Sequence, residues 1–202
     1  MSGAFPISTA KFETLGIQNI QNTLISKSLS GKKLSRQIQN QRFGFTARII
    51  TAKRSDVYGE LMAFIMKQRS SKEDFTITPP ELKNARGNVS GTVLVNGSHA
   101  VGDTTIAVDA MTGTLKAGDF LKFAHDKVYM VVADVTADGS NEATVTIEPP
   151  LITALADNSS VTYDSVPFKV HLTNDVQDFG VVGSDKDGNL LYQFELDVEE
   201  TL

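Results

Sequence analysis

The chain has few residues of the types that perform catalysis or bind metals. It contains no cysteine and only three histidines, which are His99, His125 and His171. No two of these histidines have metal-ligand spacing, and we expect them in a loop, a turn and a strand. A single histidine on a strand is far more often a surface or core residue than a ligand. The sequence therefore predicts no enzymatic activity and no cofactor.

Two short motifs resemble ligand-binding loops, and both are incomplete. Ser30-Gly31-Lys32-Lys33 lacks the earlier glycine, the Ser or Thr after lysine and the following helix of a phosphate-binding loop. Asp134, Asp138 and Asn141 surround Gly139 as in a calcium loop, but the flanking helices and the bidentate glutamate are missing. We favour an ordinary β-turn for the acidic segment and keep calcium as the minor alternative.

Composition and charge indicate a globular chain with an uneven charge distribution. Hydrophobic residues make up 41% of the 202 residues. Residues 1–100 contain 14 Lys and Arg against 6 Asp and Glu, whereas residues 101–202 contain 5 against 18. Opposite charges at two faces of a protein favour association between copies, but acidic solvated loops would give the same counts. Both interpretations stay open.

No segment predicts a membrane span or a secretion signal. Apolar runs are all shorter than the roughly 18 residues that a spanning helix needs. The first residues lack the continuous apolar core of a signal peptide. We therefore expect synthesis in the cytoplasm and no membrane insertion.

The stretch from Arg36 to Pro80 has the clearest pattern of secondary structure. Apolar residues alternate over Arg42–Ile50, which predicts a half-buried strand. Helical spacing follows, and it predicts a helix capped by Ser55 that ends near Lys67. Phe75–Thr78 predicts a second strand, which two prolines stop. The residues expected on the core face of the first strand are Phe43, Phe45, Ala47 and Ile49.

The segment before this stretch predicts a polar, basic hairpin. Thr14–Ile20 and Thr23–Ser28 are extended pieces, and a turn follows them. We expect Leu34–Gln41 to form the near side of a long hairpin with Phe43–Ile50. The segment has too few apolar side chains to pack on a core of its own, so we expect a neighbouring subunit to complete the hairpin. The predicted inter-subunit residues are Lys32, Lys33, Arg36, Arg42 and Arg48.

Nucleic acid is the alternative partner for these cations together with Lys53 and Arg54. Aromatic residues are interleaved with them only at Phe43 and Phe45, and both of these alternate onto the expected core face. The sequence also contains no recognised DNA- or RNA-binding motif. A protein interface is therefore the favoured interpretation.

The second half of the chain predicts a small β domain inserted into a larger one. Short strands alternate with turn signals, which is typical of an antiparallel barrel or sandwich. The six predicted strands are Gly91–Val95, Thr104–Val108, Phe120–Phe123, Lys127–Ala133, Ala143–Ile147 and Ser160–Tyr163. Pro167–Thr173 and Leu190–Val198 alternate again around a turn-rich piece, Asp175–Asn189, and they need a sheet to join. We therefore expect residues 84–165 to be an insertion and residues 1–83 with 166–202 to form one discontinuous domain.

The order of features in Arg36–Pro80 resembles that of structural proteins from the tails of tailed phages. A basic strand beginning Arg42-Phe43, a helix containing Ala63-Phe64-Ile65, and Phe75 after an arginine are similar to distal tail and minor tail proteins. Phe43 stands where tryptophan is common in that family, and Ser70-Ser71 stand where glycine is common. Residues 115–151 also resemble a β module that is inserted in such proteins.

The resemblance implies a mainly β, tail-tube-like sandwich or barrel with one flanking α-helix, plus the inserted β domain. It implies a hexameric ring around the tail channel at the distal end, linking the tube to the baseplate hub or fibres. The implied partners are copies of the chain and other tail or baseplate proteins, with DNA only passing through. The implied location is the virion tail. A tube terminator or main tube subunit is an alternative position.

A binding module for a host-surface carbohydrate or protein is the alternative function, and it would use residues 84–165. Exposed aromatic side chains would support carbohydrate binding because sugar rings stack on them. The aromatic residues available are Phe120, Phe123, Tyr129 and Tyr163.

Overall fold

A computed structural model describes residues 3–6, 12–38 and 40–202, and the prediction of a mainly β protein is confirmed. Two compact units are present, the first formed by residues 1–77 and 169–201 and the second by residues 78–168. The strands are β1 (Phe12–Ile20), β2 (Thr23–Lys27), β3 (Lys33–Gln37), β4 (Arg42–Lys53), β5 (Phe75–Ile77), β6 (Leu94–Val95), β7 (Thr105–Asp109), β8 (Thr114–Leu115), β9 (Phe120–Lys122), β10 (Val128–Val131), β11 (Val135–Thr136), β12 (Ala143–Glu148), β13 (Phe168–Leu172), β14 (Phe179–Ser184) and β15 (Leu190–Glu200). The helical segments are a π-helical turn (Arg54–Tyr58), helix α1 (Gly59–Lys67) and 3₁₀ turns at Ser70–Lys72 and Pro80–Leu82.

The first unit is organised around the long antiparallel pair of β4 and β15. Its sheet has the order β1-β4-β15-β13-β5, and β14 also pairs with β15. Val198 lies opposite Phe45 and Leu191 lies opposite Lys53. The prediction that the C-terminal strand returns to a sheet with the N-terminal strands is therefore confirmed.

The predicted hairpin between Leu34–Gln41 and Phe43–Ile50 is wrong. β3 pairs with β2, and β4 pairs with β1 and β15 instead. The physical reason is burial, because β4 has an apolar face that needs long alternating partners. β1 and β15 provide them, whereas β3 is polar and exposed along its whole length.

The core of the first unit lies where the alternation predicts. Phe43, Phe45, Ala47 and Ile49 on β4 are all buried. Phe194, Leu196 and Val198 on β15 are buried as well, as are Leu61 and Ile65 of α1. Tyr58 is fully buried, and this burial raises its pKa to about 12. A single apolar layer thus holds the sheet and the helix together.

A cap at Ser55 predicts a helix that begins at Asp56, but α1 begins at Gly59. Arg54–Tyr58 form a π-helical turn, and α1 begins at Gly59 without a side-chain cap. The Ser55 hydroxyl lies 3.3 Å from the Asp56 carboxylate and caps no backbone group. A Cβ at residue 59 would lie 2.8 Å from the carbonyl oxygen of Arg54, so the wide turn requires glycine there.

The sequence prediction missed β14 within the turn-rich piece Asp175–Asn189. β14 contains Gly180 and Gly183, which lower the local strand propensity. It forms because β15 offers a pairing edge and because Phe179 stacks on Phe194 with ring centroids 4.6 Å apart. The hairpin turn predicted at residues 186–189 is confirmed, since Gly188 N–H donates to Asp185 O at 3.1 Å.

Glu200 is a buried carboxylate that we expect to stabilise the first unit. Its Oε2 accepts a hydrogen bond from the backbone N–H of Phe43 at 3.1 Å, and the residue is fully buried. Glu200→Ala removes this acceptor from the interior and should lower the free energy of unfolding by about 1–3 kcal/mol. Glu200→Gln keeps an amide oxygen and should cost less. Urea titrations of both variants test this, and equal losses would show that the hydrogen bond is not the cause.

The second unit is a small β structure around its own core. Its main sheet has the order β6-β7-β12-β10-β9, and β8 pairs with β11. Five of the six predicted strands are present: β6, β9 and β10 are shorter than predicted, β7 is shifted by one residue, and β12 is one residue longer. The sixth, Ser160–Tyr163, is irregular: Ser160 bridges to β6 and Thr162 bridges to β9, so the segment joins the two edges of the sheet. The buried core includes Val95, Ile106, Val108, Leu121, Tyr129, Val131, Val145 and Ile147.

Candidate self-association surface

Thr23–Gln37, named the arm below, is a two-stranded hairpin that has no core. Its cross-strand pairs run from Thr23 opposite Gln37 to Lys27 opposite Lys33. Within the described residues, no third strand joins this sheet. Ser28 N–H donates to Lys32 O at 3.0 Å at the tip, where Gly31 has φ +81°. Every residue of the arm is exposed.

Both faces of the arm present apolar and cationic side chains to solvent. In a strand pair, residues directly opposite each other lie on the same face, and so do residues two positions apart on one strand. Leu24 is opposite Arg36, and Leu34 is two positions before Arg36, so these three residues share one face. Ile25 and Lys33 lie on the other face. Leu24 is 60% exposed. An isolated two-stranded hairpin is at best marginally stable in water, and its exposed apolar side chains make this surface suited to contact with another chain.

The arm is also strongly basic. It contains Lys27, Lys32, Lys33 and Arg36 and no acidic residue. Lys27 and Lys33 lie directly opposite each other, and like charges in that position destabilise a strand pair. A binding partner with carboxylates would remove this repulsion.

The five predicted interface residues do not form one basic face. Lys32, Lys33 and Arg36 lie on the arm, whereas Arg42 and Arg48 lie on β4. Arg42 Nη1 is 2.5 Å from Glu199 Oε1, and Arg48 Nη2 is 2.8 Å from Glu195 Oε1. The hydrogen bond that Arg48 donates to the Glu195 carboxylate raises the pKa of the Arg48 guanidinium. The structure therefore places two of the five cations in ion pairs with their own chain.

Ion pairs within the first unit also account for part of the charge asymmetry along the chain. Lys53 Nζ lies 2.5 Å from Asp185 Oδ2, and Lys169 Nζ lies 3.6 Å from Asp74 Oδ2. Asp185 from the C-terminal segment thus lies beside Lys53 from the N-terminal segment, whereas the Lys169–Asp74 pair has the opposite polarity. The sequence could not show this, because it depends on β15 pairing with β4.

Asp185 should make part of the stability depend on pH. Lys53 and the hydrogen bonds from Asn189 hold the pKa of the Asp185 carboxyl well below its usual range. A lowered pKa in the folded state stabilises the fold above the unfolded pKa, which is about 4. We therefore expect the free energy of unfolding to decrease as pH falls below about 4. Urea titrations over a pH series should show less of this decrease for Asp185→Asn and an unchanged profile for Asp187→Asn.

The sheet of the first unit has two open edges beside the β4–β15 pair. Among the described residues, β1 pairs only with β4 and β14 pairs only with β15. The face opposite the core is polar, since Arg48 and Glu195 lie there and Gln18 donates to the Thr46 hydroxyl at 2.9 Å. Open edges present unpaired N–H and C=O groups that another strand can bind. The sheet can therefore be extended by further copies.

Asn174–Asp178 and β14, named the rim below, border an open groove of about 310 Å³ in the first unit. Three carboxylates line the groove, from Asp178, Glu195 and Asp197. Val176 is 85% exposed and Val182 is 54% exposed at the same place. The groove thus combines negative charge, exposed apolar side chains and an open strand edge.

The residue types that could do chemistry are engaged in ordinary structural contacts. His99 Nε2 accepts the N–H of Ala107 at 3.2 Å, and His171 Nδ1 lies 2.9 Å from the Thr201 hydroxyl. His125 lies 3.5 Å from the Tyr129 hydroxyl, and burial lowers its pKa. Within the described part of the chain, no group of three or more His, Asp or Glu residues could hold a metal ion.

The acidic segment considered as a calcium loop forms a hydrogen-bonded turn. Asp138 Oδ1 accepts the N–H groups of Ser140 and Glu142 at 2.8 and 2.9 Å, which lowers its pKa. Asp134 Oδ2 lies 2.7 Å from Lys116 Nζ. This geometry agrees with the β-turn interpretation.

The aromatic residues considered for carbohydrate binding do not form an exposed platform. Phe120, Phe123 and Tyr129 are buried. Tyr163 is partly buried, and its hydroxyl donates to Gly91 O at 2.8 Å. These four residues therefore do not support stacking of a sugar ring.

The comparisons with known proteins do not assign the chain to a family. The sequence matches no protein-family model, and no curated protein is significantly similar to it. Among the described residues, no helix has both the length and the apolar character needed to cross a membrane.

Proposed function

We propose that the protein is a structural component of a phage tail, without enzymatic activity, that assembles into a ring of six copies around the tail channel. It lies at the distal end of the tail and links the tube to the baseplate or fibres. DNA only passes through the channel, and the protein is made in the host cytoplasm. The alternative is that the same ring lies at another position of the tail, where the protein acts as a tube terminator or as the main tube subunit.

The observation that carries self-association is the arm, whose exposed apolar and cationic side chains have no core of their own. The two open edges of the first unit support it further. β1 and β14 are different strands, so a contact of one of these edges with a different surface of the next copy is heterologous and repeats from copy to copy. Such a contact closes into a ring if the rotation between copies allows it.

The features that favour a tail protein come from both sequence and structure. The resemblance of Arg36–Pro80 to distal tail proteins supplies the phage assignment. A sheet with one apolar and one polar face, and with helix α1 packed on the apolar face, is compatible with a tail-tube-like fold. In a ring of this kind the polar face of the sheet is suited to line a water-filled channel.

Solution mass and electron microscopy of the purified protein test the proposal. We expect light scattering to give about six times the 21.9 kDa of one chain, and negative-stain images to show rings with a central hole. A protein that stays monomeric at high concentration and also fails to join purified phage tails would contradict it.

A further inference from the structure

We propose that the arm of one copy docks on the rim of a second copy, an inference that rests on the self-association proposed above. The contact joins two different surfaces of the same chain, so each copy is both a donor and an acceptor. The occupant of the groove is thus the basic hairpin of an identical neighbour.

Charge complementarity is the first argument for this pairing. The arm contains four cationic residues and no acidic residue, and Lys27 faces Lys33 across its strands. The groove presents the carboxylates of Asp178 and Asp197, while Glu195 is shared with Arg48. Bringing the arm to the groove removes the like-charge repulsion in the first and supplies counter-charges to the second.

Apolar and backbone complementarity give two further arguments. Ile25 lies on the same face of the arm as Lys27 and Lys33 and can cover Val176 and Val182 in the groove. Leu24 and Leu34, on the opposite face of the arm, can cover the exposed Val181 of β14, which does not line the groove. The outer edge of β14 has no strand beside it among the described residues, and the arm is likewise only two strands wide. A strand of the arm can therefore extend the sheet at β14 by β-augmentation.

The positions of the two surfaces favour a contact between two different copies. The strand order places β4 and β15 between β1 and β14, which separates the two edges by about 14 Å at about 4.8 Å per strand. The arm continues from the Ile20–Arg42 end of β1 and β4, beside Glu199, whereas β14 pairs with residues 190–194 of β15. The arm of a chain thus extends from the opposite edge and the opposite end of the sheet from its own rim.

Charge reversal on each surface tests the contact in the full-length protein. The arm-reversed variant carries Lys27→Glu and Lys33→Glu, and the rim-reversed variant carries Asp178→Lys and Asp197→Lys. Each variant alone places like charges together, so we expect its self-association to weaken by about tenfold or more in sedimentation experiments near physiological salt. The matched control is Lys67→Glu with Lys83→Glu, which reverses two exposed cations that belong to neither the arm nor the rim and should assemble normally.

Mixing the two variants separates the proposed contact from a folding defect. In an equimolar mixture, the two glutamates on the arm of one variant meet the two lysines on the rim of the other, and the wild-type arm meets the wild-type rim. We therefore expect the mixture to recover assembly in which the two variants alternate. A misfolded variant would not recover.

The possible results distinguish this contact from the proposed function. If the arm-reversed and rim-reversed variants assemble like the wild type, or if their mixture does not recover, the arm does not dock on the rim. Rings of the wild-type protein would in that case still support the proposed function. If the wild type neither forms rings nor joins tails, the proposed function fails. If the wild type also remains monomeric in the sedimentation experiment, the docking contact is overturned as well.

Discussion

Replacing residues 23–37 by a short Gly-Ser turn should abolish assembly while leaving the first unit folded. The arm is exposed throughout, so its removal uncovers no core and should change the free energy of unfolding little. Its removal also eliminates the donor side of the proposed contact between the arm and the rim. We therefore expect a change from a ring-sized particle to a monomer, the largest effect on assembly of any single change considered.

Light scattering and circular dichroism together measure this result. The far-ultraviolet spectrum should keep its β character, and the midpoint of thermal unfolding should match that of an arm-reversed monomer. A matched control replaces the hairpin turn at residues 186–188, which is also exposed, and should assemble normally. If the protein without the arm still forms rings, the open edges of the sheet are sufficient for assembly and the arm has another role.

Leu196→Ala should destabilise the first unit strongly, whereas Leu24→Ala should not. Both residues lie on strands, but Leu196 is fully buried and Leu24 is 60% exposed. Removing buried methyl groups loses transfer free energy and leaves a cavity, which costs about 2–5 kcal/mol. An exposed leucine loses almost no buried contact, so its substitution should change the free energy of unfolding by less than about 0.5 kcal/mol.

The same pair of substitutions separates stability from assembly. Measured by urea titration in the arm-reversed background, the free energy of unfolding contains no contribution from association. Leu24→Ala in the wild-type background should instead weaken assembly, because it removes apolar surface from the arm. A large loss of monomer stability from Leu24→Ala would mean that the arm packs on its own chain.

Much of the local structure could be predicted because it depends on short-range periodicity. Alternation over Arg42–Ile50 and Leu190–Val198 predicted which side chains of β4 and β15 are buried, and Phe194, Leu196 and Val198 agree. Leu190 is an exception, since it lies at the strand end and is half exposed. The arm strands β2 and β3 were also predictable as extended segments, because Gly31 and its neighbours mark the turn between them.

The candidate site was only partly predictable. The exposed, basic character of Lys32, Lys33 and Arg36 follows from a segment with too little apolar surface to bury. The acceptor side has no comparable signal, because Asp178, Glu195 and Asp197 are spread over two strands and a loop. Asp175–Asn189 looked like a turn, and only its pairing with β15 shows that it contains an open strand edge.

The sequence by itself determined the long alternating strands of this protein, the faces that they bury and the lack of a core under the arm, but not β8, β11 or β14. These properties depend on residues two to four positions apart, whose side-chain periodicity is set by backbone geometry. Only the tertiary structure decided which strands pair and which charges neutralise each other. The Arg48–Glu195 ion pair joins residues 147 positions apart, and it forms because β4 and β15 bury their apolar faces together. Partner choice of this kind is a property of the whole folded unit, since it is set by the total burial that each pairing achieves.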